Sequence, residues 1–280
     1  MANIPQLSNM ELIEKLREIL QSWPLYRCFS YQGEGANLNL PSEISLHCDN
    51  CGKEQLWENL DSSVSFPDTR YDGFVPERSY RCKNCEQRRE TYYVYWYRRK
   101  DLSAQFFKVG QYPPLEERIP KELKLEGEDL DFYQKALRCR NFNYGLAGVA
   151  YLRRVIENRM NEMLDLIAQE ARTANFAEQD LKKLEQVKAG KPFSDKVDYA
   201  AGILPPHLRP GNHNPIERLH DITSEAVHAK TDEECIEIFD KSRFVFEYTF
   251  KKLQVDAAEA RTFAEKLAKL TKPKKGSSEG

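Results

Sequence analysis

No run of about 18 apolar residues occurs anywhere in the chain, so a membrane-spanning helix is not expected. The start, MANIPQLSNMELIEKL, lacks a basic segment followed by an apolar core, and no secretory signal is expected from it. An excess of one charge sign is also missing. The formal net charge is −2, so bulk charge carries no information about a nucleic-acid partner. Internal repeats are absent. Cysteine is scarce and unevenly placed: of seven, Cys28, Cys139 and Cys235 are scattered, and this odd remainder argues against a secreted disulfide framework. A reducing, cytoplasmic setting is the expectation. What the chain does have is an apolar fraction of 40% and a charged fraction of 31% over 280 residues, enough for two modest domains.

The remaining four cysteines form two Cys-x-x-Cys pairs, Cys48/Cys51 and Cys82/Cys85. Four thiolates, two from each tight turn, suit tetrahedral Zn²⁺ and close its shell. Gly52 follows the first pair, where a left-handed backbone is easiest for glycine. A thioredoxin-like redox role needs only one such pair, and core thiols rarely fall at this spacing. The pattern predicts a zinc ribbon carrying one structural Zn²⁺ per chain, with no open position for metal catalysis.

The chain changes character near residue 125. Ser8 is placed to cap an amphipathic helix with Leu12, Leu16, Ile19 and Leu20 on one stripe, stopped by Pro24. LYRCFSY and EISLHC read as strands, separated by a turn at Gly33 and Gly35. TYYVYWYRR is the strongest strand, with Tyr92, Val94 and Trp96 on one face and Tyr93, Tyr95 and Tyr97 on the other. QFFKVG reads as its partner, and the prolines of GQYPPLEERIP predict an extended linker. Helical patterns then dominate. The long one has Leu146, Ala150, Ile156, Met160, Met163 and Ile167 on its core stripe. Ser194 is expected to cap a later helix, and Thr231 with Glu234 forms a capping-box pattern ahead of the last.

The stretches AGVAYLRRVIENRM and RLHDITSEAVHAKTDEECIEIF, with the KVGQYPP segment before them, resemble the HEPN superfamily of bacterial helical domains over residues 128–255. The branch it is similar to is uncharacterised and is often fused behind a zinc-binding region. The resemblance implies an up-and-down helical bundle, a homodimer, and a setting in phage defence, toxin–antitoxin or RNA-processing systems. Active members cut RNA without a metal through an Arg, four to six residues, and a His. With His228 as that His, the Arg falls at positions occupied by Asp221, Ile222 and Thr223, and Arg209 stands too close to His213. The signature is absent. The expected fold is therefore α+β: a zinc-ribbon domain over 1–110 with a short leading helix, a Pro-rich linker over 111–127, a HEPN-like bundle over 128–270 and a disordered tail over 271–280.

Three sets of residues are candidates for chemistry. Residues 78–100 hold eight basic side chains against Glu86 and Glu90, a formal excess of six positive charges interleaved with aromatics. Basic groups track phosphates and flat rings stack on unpaired bases, which points to Arg88, Arg89, Arg98, Arg99, Lys100, Tyr93 and Tyr95 as contacts for RNA or other single-stranded nucleic acid. A solvated rim around an aromatic core gives the same composition. On one helical stripe, Arg218, Asp221, Glu225 and His228 offer a cation, carboxylates and a base for ribonucleolytic acid–base chemistry, or a polar stripe held by ion pairs. Arg153, Arg154, Glu157 and Arg159 form a further cluster that reads as helix-surface salt bridges or a phosphate patch. The favoured expectation is a non-catalytic module binding nucleic acid or a partner protein. An endoribonuclease with an altered site and a structural oligomerisation protein are the alternatives.

Overall fold

The computed structural model describes residues 4–32, 39–61, 75–98, 103–115, 119–172, 178–190 and 192–270. The Gly33/Gly35 turn and the tail after residue 270 lie outside the described residues. The chain divides into two compact units, Met1–Glu117 with Arg138–Tyr144, and Arg118–Leu137 with Gly145–Gly280. Its class is α+β, a curled antiparallel sheet followed by a helical region.

In the first unit, helix α1 (Asn9–Ser22) opens on a capping box in which Ser8 and Glu11 satisfy each other's backbone N–H. Pro24 cannot continue the helix, and Trp23 ends it. Six strands follow: β1 (Phe29–Gln32), β2 (Glu43–Cys48), β3 (Lys53–Asn59), β4 (Glu77–Cys82), β5 (Arg89–Arg98) and β6 (Ser103–Tyr112). Their order is β1-β6-β5-β4-β3-β2, all antiparallel. Helix α1 touches both β2 and β6, which the sheet achieves by curling round it. Leu16, Ile19 and Leu20 meet Ile44, Trp57, Tyr92, Val94 and Phe106 in one core. Arg17 and Gln21 donate to the carbonyls of Glu43 and Ser45, covering the otherwise unpaired edge of β2.

The alternation along β5 is as its sequence predicts: Tyr92, Val94 and Trp96 are buried, and Tyr93, Tyr95 and Tyr97 face outward. Three buried rings have their polar ends satisfied. Tyr80 donates to the Pro41 carbonyl at 2.8 Å, Trp57 to Leu46 at 3.1 Å and Trp96 to the Tyr31 hydroxyl at 3.0 Å. Two expectations change. The sheet is larger than a ribbon and has its own core beneath α1, because β3 intervenes between β2 and β4. Gly110–Tyr112 belong to β6 rather than to a linker, since they pair with Thr91, Tyr92 and Tyr93.

The second unit is helical: α2 (Gly127–Asn141, its last turn belonging to the first unit), α3 (Gly145–Arg172), α4 (Glu178–Gly190), α5 (Phe193–Ile203), α6 (Pro215–Ala229) and α7 (Asp232–Leu270). Helices α3 and α7 form its spine. Val149, Leu152, Ile156, Met160, Met163 and Ile167 pack against a core that includes Phe239, Phe246, Phe250 and Leu253. Leu146 and Ala150, expected on the core stripe, are exposed instead, because the first turn of α3 serves a different contact. There, a Cβ on Gly145 would lie 2.1 Å from the Asp232 carbonyl, and the Asp232 side chain accepts from the Leu146 N–H at 2.8 Å. Only glycine admits this approach. Helix α5 begins at Phe193, so Ser194 lies inside it and does not cap it; no side chain caps that end. Asn214 caps α6, and Thr231 with Glu234 caps α7 as the sequence predicts.

Candidate metal centre and outer sheet face

Both cysteine pairs sit at hairpin turns, Cys48/Cys51 between β2 and β3 and Cys82/Cys85 between β4 and β5. The turns are built alike. Cys48 accepts from the N–H groups of Cys51 and Gly52, and Cys82 accepts from Glu86 through its carbonyl. Gly52 has φ +67° and Glu86, at the matching position, has φ +56°. The second turn thus holds a glutamate where the first uses glycine, a conformation that costs L-residues about 1 kcal/mol.

Because β3 and β4 pair at Trp57 and Cys82, the two turns meet at one end of the sheet. All four Sγ atoms lie within 4.8 Å of one another. Cys48 Sγ is 3.6 Å from Cys85 Sγ, and Cys51 Sγ is 3.9 Å from Cys82 Sγ. This is a metal-capable arrangement of four soft donors. Around it, Asn84 Nδ2 donates to Cys51 Sγ at 3.2 Å. Backbone N–H groups of Gln87 and Arg88 draw the Cys85 thiol down to about 6, whereas burial pushes Cys48 up to about 12. Outside the thiols, Arg88 pairs with Asp49 at 3.0 Å and Asn50 donates to Gln87 at 3.2 Å, tying the two turns together. Sequence reading missed Asp49, Asn50 and Asn84; the repeated Cys-x-Asn-Cys pattern was the available signal.

The basic stretch is less free than its composition implies. Arg81 pairs with Glu58 at 2.6 Å, Lys83 with Glu43 at 2.6 Å and Arg88 with Asp49, all partners lying outside residues 78–100. Arg78 is buried and donates to the Glu77 carbonyl. Arg89 is exposed and makes no ion pair among the described residues. Arg99, Lys100 and the side chain of Arg98 lie outside the described residues. What the sheet does bring together is one outward face. Along β5 it carries Arg89, Tyr93, Tyr95 and Tyr97. Phe107 on β6 lies opposite Tyr95, ring centroids 4.8 Å apart. Gly110 lies opposite Tyr93 on β6 and the exposed Glu77 lies opposite it on β4, and the ring is 38% exposed.

In the second unit, Arg218 and Glu225 lie on one wall of a cavity between α6 and α7, together with Asp221. His228, exposed in the last turn of α6, is not among the lining residues. Arg153 pairs with Glu157 at 2.8 Å, and Arg159 pairs with Glu162 at 2.7 Å while lying over the Phe250 ring. Those arginines are occupied within the bundle; Arg154 is exposed.

One buried cation had no place in the sequence reading. Lys108, 1% exposed, donates to the Leu20 carbonyl at 3.2 Å and lies 5.6 Å from the centroid of the Tyr92 ring. Burial, with Arg140 nearby, lowers its pKa to about 7. Its spacing of two from buried Phe106 was the signal, since alternate strand residues share a face. Among the described residues, no helix is long and apolar enough to cross a membrane. No family model matches the chain, and neither a curated protein nor a solved structure matches it.

Proposed function

We propose that the first unit is a zinc-stabilised binding module that takes single-stranded nucleic acid on the outer face of its sheet. The observation that carries this is the row Arg89, Tyr93, Tyr95 and Tyr97 on one face of β5, flanked by Phe107. Base–aromatic stacking contributes about 1–3 kcal/mol per base, independently of sequence. Arg89 supplies a cation at one end of the row. Arg81, Lys83 and Arg88 are held by carboxylates, which leaves the rings and Arg89 as the contacts among the described residues.

Zinc is the metal we assign to the four thiols. A tetrahedral shell with Zn–S bonds of about 2.3 Å places the sulfurs about 3.8 Å apart. The two separations of 3.6 and 3.9 Å fit that shell. Cys48, Cys51, Cys82 and Cys85 fill it and leave no position for a substrate, so the metal's part is to hold the hairpins.

Fluorescence anisotropy with labelled oligo-uridine and oligo-thymidine tests the reading. Replacing Tyr93 and Tyr95 with Ala should weaken binding by about 5–150-fold for each ring that stacks. Zinc content, measured by elemental analysis, should stay at one per chain. A double variant that binds like wild type would overturn the proposal and leave the face to a partner protein.

For the second unit, we propose a homodimer, in keeping with the HEPN-like pattern of its sequence. Phe244 and Tyr248 favour it: both are exposed on α7, stacked with centroids 6.4 Å apart, and Val255 extends the stripe. Light scattering of a Phe244→Glu, Tyr248→Glu double variant should report half the wild-type mass.

A further inference from the structure

Between α6 and α7 lies a cavity of about 260 Å³. Leu219, Ile222, Ser242 and Val245 are its buried and half-buried lining. Its rim is charged and exposed, with Arg218, Asp221 and Glu225 from α6 and Lys241 from α7. The volume falls below the roughly 300–1,000 Å³ of sites for drug-sized molecules, so the occupant is a small metabolite.

Two observations narrow its chemistry. Ser242 is 2% exposed, and its Oγ has no hydrogen-bond partner. A helical serine ordinarily turns back to the carbonyl four residues earlier, and this one does not. A buried hydroxyl left unpaired is unfavourable; its oxygen has almost no exposed surface, so an occupant completes the hydrogen bond once this lining side chain turns toward the cavity. The rim, in turn, holds two cations and two carboxylates. Glu225 contacts Lys230 at 3.0 Å, Asp221 lies 3.2 Å from His220, and Lys241 is only loosely held by Glu237 at 3.8 Å. Arg218 makes no ion pair among the described residues. Because the rim charges cancel, a ligand of single charge gains little from them. A ligand bearing both charges, close together on an apolar body, gains from each.

We propose that this cavity binds a small apolar α-amino acid. Its carboxylate meets Arg218 and accepts from the Ser242 hydroxyl. Its ammonium meets Asp221 and Glu225, and its hydrocarbon side chain covers Ile222 and Val245.

The test is calorimetric titration and thermal shift of the full chain with L-leucine, compared with 4-methylpentanoate and isopentylamine, which keep the body and one charge each. Leucine should bind, and each analogue should bind about tenfold or more weakly. Ser242→Ala should raise the melting temperature without ligand, by removing the orphaned hydroxyl, and weaken leucine by about tenfold. Arg218→Gln, an exposed substitution that keeps the fold, should weaken it similarly. The proposal is overturned if wild type shows neither heat nor shift at about 10 mM leucine, a concentration that detects even very weak sites. It is equally overturned if an analogue matches leucine, or if either variant binds leucine like wild type.

Discussion

The two units hold their elements together by different means. In the helical unit, α3 and α7 bury long side chains such as Leu152, Met160, Phe246 and Phe250 in one core. In the sheet unit, a single helix of 14 residues covers a curled sheet, and the core beneath it contains a lysine. The far end of that sheet, where two hairpins meet, is closed by four thiols. The difference teaches where each unit is vulnerable. One is sensitive to the volume of its side chains, the other to a few chemical groups.

Removing the proposed metal is the sharpest way to break this comparison. Stripping it with a chelator, or replacing Cys82 with Ser, should unfold the hairpin end of the sheet and leave the helical unit folded. Structural zinc contributes about 10–16 kcal/mol in small peptides that fold only around it, and this sheet, having a core of its own, should lose less. Two thermal transitions should appear by circular dichroism, only the first moving with chelator. A single transition that moves as a whole would show that the units do not differ in this way.

Phe250→Ala makes the converse cut. It should destabilise the helical unit by about 3–5 kcal/mol, the usual loss for a buried aromatic, with metal content unchanged. Denaturant unfolding followed by elemental analysis measures both.

Lys108→Met sharpens the account of the sheet core. Folding lowers this lysine's pKa from 10.5 to about 7. Between those two values the unfolded chain holds a proton that the folded chain has lost, so stability rises with pH across the window. Below pH 7 the full penalty applies. The methionine variant should be more stable by roughly 1–4 kcal/mol at neutral pH, as when other buried charges are replaced by apolar groups. The gain should fade toward pH 10.5, and a difference independent of pH would count against the assignment.

The smallest effect belongs to Thr231→Ala. Loss of the cap at the start of α7 should cost about 1 kcal/mol in chemical denaturation and leave the metal site untouched.

Much of this organisation was legible in the sequence where a local rule is strong. The Cys-x-x-Cys pairs announced the four-thiol cluster, and the alternation of Tyr92 to Tyr97 fixed which rings face outward. Residues 53–59 did not read as a strand, because Lys53, Glu54 and Glu58 dilute the pattern; β3 forms there because Trp57 is drawn into the core between β2 and β4. Leu146 looked like a core residue because periodicity cannot register the contact of Gly145 with Asp232, made 87 residues away. The charge of residues 78–100 was countable, but the partners Glu43, Asp49 and Glu58 come from other strands and appear only once the sheet is assembled. Ser242 was visible as a serine on the stripe of Phe239 and Phe246, yet its missing hydrogen bond is a property of the packed bundle.

The strand order has a consequence for how the chain is made. Strand β1 is the first of the described strands to be made but pairs with β6, the last of them. Until then its backbone has only the bridge from Gln32 to the segment around Gln6, and the growing sheet can add hairpins only from β2 onward. With β1 undocked, β6 would be a bare edge along Ser103 to Phe106, a template for joining other molecules. Strand β1 therefore covers an edge that comes into existence only after the rest of the sheet has been built.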